Sequence, residues 1–131
     1  MTIERTNPPT LHSTPGYHHV TKVRADELVL LAGQCPLTPS GSLAEGGLAG
    51  QTDQVIQNIL VALEAAGATP SDVVRTVIYV VSSVREELGE VWTQLNASPL
   101  APAFTSASTL LGVAQLGFPG QLVEIDVTAA L

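Results

Sequence analysis

Apolar positions alternate along some stretches of the chain and recur at helical spacing along others, and each change of period marks an element. HHVTKVRA (His18–Ala25) alternates as a strand does, while LVLLAGQ (Leu28–Gln34) is an apolar strand that stops at Gly33. Asp26–Glu27 between them predicts a tight turn, so the two read as a hairpin. A further short strand is predicted at Ile3–Thr6. From Leu48 to Ala66 the period lengthens: Thr52, Val55, Ile56, Ile59, Ala62, Leu63 and Ala66 share one helical face, and Gly67 stands in the C′ position.

VVRTVIYVV (Val73–Val81) is β-branched almost throughout, which predicts a strand buried on both faces. Ser83 with Glu86 spells a capping box for a second helix. Val84, Leu88, Val91 or Trp92, and Leu95 then recur at helical spacing until Asn96–Pro102 breaks the pattern. Phe104–Val113 reads as a strand, Gly117–Gly120 as a turn, and Gln121–Leu131 as a final alternating strand. The order β, ββ, α, β, α, ββ predicts one domain over residues 1–131 of the α+β class. Its architecture would be a two-layer sandwich: a mixed six-stranded sheet with both helices on one face. The other face would stay apolar in a single copy.

Composition reinforces that last point. The chain is 45% hydrophobic and 13% charged, against about 25% charged in an ordinary soluble domain. So little polar surface predicts that a further subunit covers part of the molecule. No apolar run approaches the roughly 18 residues of a membrane span, so no membrane partner is expected. The formal net charge is −7, and the five cations Arg5, Lys22, Arg24, Arg75 and Arg85 are scattered. Nucleic-acid binding needs Lys and Arg in clusters, so the charge pattern argues against it. The lone Cys35 cannot close an intrachain disulfide, and MTIERTNPPTLHST lacks the basic and apolar regions of a secretory signal. A reducing cytoplasm is the expected setting.

Few side chains offer obvious chemistry. Cys35, at a strand end near His18 and His19, is either a Cys–His nucleophile or a small hydrophobe packed at the strand end, and the second reading is preferred. His12, His18 and His19 lack metal-ligand spacing, and adjacent strand residues point to opposite faces, so no metal is expected. Glu124 and Asp126 share a strand face opposite Val123, Ile125 and Val127. That face is either solvated or set in a cleft between subunits, where a carboxylate could orient water. Tyr17, after Pro15–Gly16, is a loop lid or a surface aromatic; Trp92 reads as helix core or interface. No phosphate loop or nucleophile elbow is present.

These landmarks together resemble the Rid family, also called the YjgF or L-PSP family. LVLLAGQCPLTPSG resembles its strand-ending SGQ motif and proline-containing loop. QTDQVIQNILVALEAAGATPSDVVRTVIYV resembles its long helix, glycine cap and central strand. STLLGVAQL followed by LVEID resembles its C-terminal signature, and the likeness runs from about Tyr17 to Ala129.

The resemblance implies a chorismate-mutase-like fold, a homotrimer, and small-molecule ligands in clefts between subunits. It also implies cofactor-free hydrolysis of imines or enamines to ammonia and a keto acid. Residue by residue, Tyr17 matches the family's loop tyrosine, Gly33 its cleft glycine and Glu124 its water-holding glutamate. The family's carboxylate-binding arginine falls on Ser108, followed by Thr109, and a cleft asparagine falls on Gly89. Ser108 and Thr109 can donate hydrogen bonds but cannot neutralise a carboxylate. Hydrolysis of 2-imino acids is therefore not expected. Two readings follow: a divergent trimer that binds and hydrolyses a neutral imine or enamine, or a non-catalytic trimeric binding module. Endoribonuclease, the family's historical name, is the weakest reading on charge grounds.

Overall fold

Six strands and two helices form, described for residues 2–131 in the computed structural model. β1 (Thr2–Thr6) pairs antiparallel with β2 (Val20–Arg24). β3 (Leu28–Leu30), β4 (Val73–Val81), β5 (Ala107–Val113) and β6 (Val123–Ala130) form a mixed sheet in the order β3-β6-β4-β5. Only β4 and β5 are parallel. α1 (Gly47–Ala65) and α2 (Arg85–Asn96) connect them.

The strands therefore divide into a ribbon and a four-stranded sheet rather than one continuous six-stranded ladder. The junction is made by side chain and loop: the Ala107 N–H donates to Thr21 Oγ1 at 2.9 Å, and the His18 N–H to the Thr105 carbonyl at 3.0 Å. Arg5 of β1 locks the ribbon down. Its Nε donates to Ser106 Oγ at 2.8 Å, and its Nη2 to the carbonyls of Ser71 and Val73 at 3.0 and 3.1 Å.

The expected hairpin between β2 and β3 does not form, because each strand has another partner. β3 runs along β6, and the Asp26–Glu27 turn caps the end of that ladder through the N–H groups of Asp26 and Glu27, both donating to the Leu131 carbonyl. The predicted strand Leu28–Gln34 is regular only to Leu30. Beyond it, Leu31 donates to Val127 and Gln34 exchanges two hydrogen bonds with Ile125. Ala32 and Gly33 thus stand opposite the single residue Asp126, which is a β-bulge.

The core lies between the sheet and both helices. Val55, Ile56, Ile59 and Leu63 of α1 and Val91 and Leu95 of α2 pack on Ile78 and Val80 of β4 and Val123, Ile125 and Val127 of β6. α1 ends as expected. Gly67 has φ +75°, its N–H meets the Glu64 carbonyl, and the Ala68 N–H meets Leu63, a paired closure that needs the left-handed conformation. The capping box predicted from Ser83 and Glu86 does not form: the N-cap of α2 is Val84, which has no side-chain cap. Ser82, not Ser83, receives the Val84 N–H at 2.9 Å and donates to Glu87 at 2.8 Å.

β4 is covered on one face only, contrary to its apolar sequence. Thr76, Ile78 and Val80 are buried, whereas Val77, Tyr79 and Val81 are half-buried. On that second face Leu28, Leu30 and Leu111 are 64%, 73% and 41% exposed. Both helices pack on the opposite side, so the predicted uncovered face is present, but it is mixed rather than apolar. Exposed leucines of the edge strands flank Arg75, Tyr79, Glu124 and Asp126 on the central ones.

The Arg5 clip gives a direct expectation. Arg5→Ala should lower the urea midpoint by the equivalent of about 1–3 kcal/mol. Arg5→Lys should recover little of it, since an ammonium cannot span three acceptors with a planar fork.

Candidate functional site

The sequence-predicted residues fall into two groups, one on each side of the sheet. Tyr17, Ser108 and Thr109 line a cavity of about 570 Å³ together with Pro15, Gly89, Trp92 and Leu110. β5 supplies one wall, α2 another, and the loop before β2 a third. Trp92 is fixed by its indole N–H, which donates to the Pro15 carbonyl at 3.2 Å. Its ring stands edge-to-face with Tyr17, 6.2 Å between centroids, and with the buried Phe104 at 5.9 Å.

Behind Tyr17 lies a histidine pair. His12 Nε2 is 3.3 Å from the Tyr17 hydroxyl, and the His19 Nε2–H donates to the His12 carbonyl at 2.8 Å. The His18 Nδ1–H donates to the Thr105 carbonyl. All three imidazoles are thereby accounted for away from Cys35, so no Cys–His nucleophile forms. Among the described residues no group of three or more His, Cys, Asp or Glu side chains is arranged to hold a metal ion.

The cavity walls carry no charged side chain. Ser108 has its hydroxyl bonded twice already: it receives Thr76 Oγ1–H at 2.6 Å and donates to the Ser106 carbonyl at 3.0 Å. Thr109 points the other way, where its Oγ1 accepts from Arg75 Nη2 at 3.2 Å. Arg75 is a cation one residue removed from the cavity, and sequence reading passed over it because it sits mid-strand in a β-branched run. Only the parallel register, which pairs Arg75 with Ala107, brings it to β5.

Gly33 and Glu124 meet on the uncovered face. Glu124 Oε1 accepts from the Cys35 thiol at 3.2 Å and from the Gln121 amide at 3.1 Å. A Cβ on Gly33 would collide with Glu124 Oε2 and lie 3.0 Å from Asp126 Oδ1, so a side chain here would displace the Glu124 carboxylate from this position. Asp126 in turn accepts the Tyr79 hydroxyl at 3.1 Å. Cys35 is half-buried rather than packed in the core, and is a hydrogen-bond donor to the candidate carboxylate. Burial first, then the Glu124 hydrogen bond and charge, push its thiol up to about 11. Sequence alone gave no sign of this, since it requires knowing that β3 runs beside β6.

In one copy these groups do not converge. Ser108 shares the helix-side face with Thr76, while Glu124 stands opposite Tyr79 on the uncovered face. A pleated strand presents alternate residues to opposite sides, so neither can turn to the other.

Comparison with known proteins now places this architecture. Residues 10–131 match the family model described as Endoribonuclease L-PSP. The structure superposes on that of YyfB from Yersinia pestis, described as a protein of unknown function of the conserved Rid family, with a TM-score of 0.91. The two are 34% identical over all of both chains. Rv2704 from Mycobacterium tuberculosis, of the YjgF/YER057c/UK114 family, gives a TM-score of 0.60 at 31% identity, over 99% of this chain and 100% of that one. DfrA of Myxococcus xanthus is 30% identical over 86% of this chain and 83% of its own length. HMF1 of Saccharomyces cerevisiae is 43% identical over 63 residues; there the match spans about half of either protein, 48% of this chain and 47% of HMF1. The chain belongs to the Rid/YjgF/L-PSP family.

The Cys35–Glu124 pair makes a pH prediction. With its pKa raised to about 11, the thiol is almost wholly protonated at pH 8, so alkylation by iodoacetamide should be slow and accelerate only as pH rises toward that value. Glu124→Gln removes the charge but not the burial. It should shift the rate profile to lower pH, read by mass spectrometry; an unmoved profile would show that Glu124 does not control the thiol.

Proposed function

We propose that the chain assembles as a homotrimer whose clefts between subunits bind a small, neutral metabolite, and that this ligand is an imine or enamine hydrolysed with Glu124 placing the water. The observation carrying the reading is the charge-free wall around Ser108, whose hydroxyl is already committed to Thr76 and Ser106. A carboxylate entering that space would lose hydration without a counter-ion on the lining residues. A neutral C=N group loses far less.

The chemistry requires no cofactor because no electrons change hands. Water adds to the imine carbon, giving one proton to Glu124, which returns it to nitrogen. Glu124 then takes the hydroxyl proton of the resulting carbinolamine and passes it to the amino nitrogen as the C–N bond breaks, releasing ammonia and leaving a carbonyl. Holding the water against the carboxylate supplies both orientation and proton transfer. Assembly is supported by the position of the parts: Ser108 and Glu124 lie on opposite faces, and Leu28, Leu30 and Leu111 expose apolar surface around the second group. A neighbouring copy is what could bring one chain's β5 to another's β6.

One observation favours a second reading, a trimeric binding module without catalysis. Glu124 Oε1 already accepts two donors, and Oε2 occupies the space a Gly33 side chain would fill, so Oε2 alone is left to hold a water. The endoribonuclease reading has less behind it. The net charge is −7, and of the five cations Arg5 is held against backbone carbonyls and a serine.

Freshly generated imines of several amino acids, and neutral imines of matched size, separate these readings. Neutral imines should turn over and Glu124→Gln should slow them by about 10²–10⁴-fold. Efficient turnover of carboxylate-bearing imines would overturn the assignment of Ser108 as the position that excludes them. If Glu124→Ala alters neither binding nor rate, the module reading stands instead. Ser108→Arg should tighten pyruvate binding by about tenfold or more, as a charged hydrogen bond is worth about 1.5–3 kcal/mol.

A further inference from the structure

The cavity at Ser108 is built for a particular shape as well as for neutrality. We infer that its ligand carries a flat aromatic or conjugated group, received against the corner formed by Trp92 and Tyr17, over the gap above Gly89. The inference rests on that cavity being the ligand site and adds the ligand's class. Two of the seven lining residues are large aromatics, and both are held rigidly. The Trp92 ring is pinned by its N–H on Pro15 and braced at 70° by buried Phe104. Tyr17 is pinned by His12 at its hydroxyl and by Thr14 Oγ1 at its carbonyl.

The two rings touch each other edge-to-face, 80° apart and 6.2 Å between centroids. They so form a right-angled corner of the cavity wall that offers a guest one ring face and one ring edge. An aromatic guest satisfies both, stacking on the first and meeting the second edge-on, whereas a saturated ring or chain gains only burial. Gly89 keeps that space open. It lies one helical turn before Trp92, on the same face of α2, and a Cβ there would meet nothing within 4 Å. Helical conformation does not require glycine at this position, since its φ is not positive, and glycine weakens a helix interior. The missing side chain is therefore explained by what must fit beside Trp92. The polar atoms available to the guest's other end are few, because the Ser108 hydroxyl is bonded on both sides and that of Thr109 faces Arg75.

Trp92 is the single tryptophan of the chain, so its emission reports on this cavity alone. Three probes of similar size resolve the claim: benzamide (flat and neutral), cyclohexanecarboxamide (neutral and puckered) and benzoate (flat and anionic). Each is titrated in the millimolar range by Trp92 fluorescence and by calorimetry. Benzamide should bind about three- to tenfold tighter than cyclohexanecarboxamide, the increment an aromatic contact adds beyond burial. Gly89→Leu should abolish that binding without lowering thermal stability. Trp92→Leu, followed by calorimetry, should erase the preference between the two amides while leaving both bound.

Equal binding of the two amides, with benzoate weaker, would overturn the aromatic inference and leave the neutral-ligand reading intact. Benzoate binding as tightly as benzamide, and lost in Arg75→Gln, would overturn the neutral reading while the aromatic preference stood. Failure of both amides to bind, or benzamide binding undiminished in Gly89→Leu, would overturn the inference together with the cavity's assignment.

Discussion

The two faces of β6 and its neighbour β4 constrain everything else in this molecule. Val123, Ile125 and Val127 must face the helices, because burying them beside Ile78 and Val80 forms the core. Each aliphatic side chain so buried is worth about 1.5–3 kcal/mol. With that face fixed, Glu124 and Asp126 have no choice but the other. The same alternation, carried across the parallel β4–β5 ladder, sends Ser108 to the helix side with Thr76 and Thr109 to the side of Arg75. A slip of one residue would save neither group: it would bury two carboxylates and expose the core.

That constraint explains which parts of the fold were legible and which were not. β4 and the body of α1 were readable to within a residue or two because local pattern suffices for them; the Gly67 closure likewise depends only on its own turn. Pairing is different. Nothing within HHVTKVRA or LVLLAGQ says that β2 will take β1 and that β3 will take β6, since either ladder would satisfy the same alternation. The bulge at Ala32–Gly33 follows from that pairing, and so does the meeting of Cys35 with Glu124. Family resemblance thus assigns the candidate site as residue types in slots, and the contacts among them lie beyond what it can show. Trp92 illustrates the gap. Its helical spacing marks it as core, and it does touch Phe104, yet the same ring also forms a cavity wall that periodicity could not show.

The two groups of site residues have opposite electrostatic characters. Around Glu124 the chain gathers donors: the Cys35 thiol and the Gln121 amide share one oxygen, and the raised thiol pKa records how firmly the proton stays on sulfur beside a carboxylate. Around Ser108 the chain removes charge and closes its hydrogen bonds internally. A site assembled from both would offer a ligand one anionic, water-orienting side and one apolar, aromatic side. A ligand bearing a carboxylate meets repulsion at the first and desolvation at the second, and neither penalty depends on the other.

Loss of a cation from such a cleft need not mean loss of specificity, because affinity can be recovered from shape. A planar guanidinium fixes a carboxylate by two directed bonds. A rigid pair of aromatic rings fixes a planar guest by two directed surfaces of opposite quadrupole sign, with no desolvation of ions at all. The second solution demands stiffness, since a mobile ring would select nothing. This chain supplies it at some expense to its own economy of contacts: an indole N–H tied to a proline carbonyl, a phenol tied to a histidine that is itself held by another, and a glycine kept mid-helix where almost any other residue would make the helix more stable. The Trp92 ring packs against the core, but the two hydrogen bonds and the glycine lie outside it. Under the proposed function, they are the means by which a cleft without a cation would distinguish one small molecule from another.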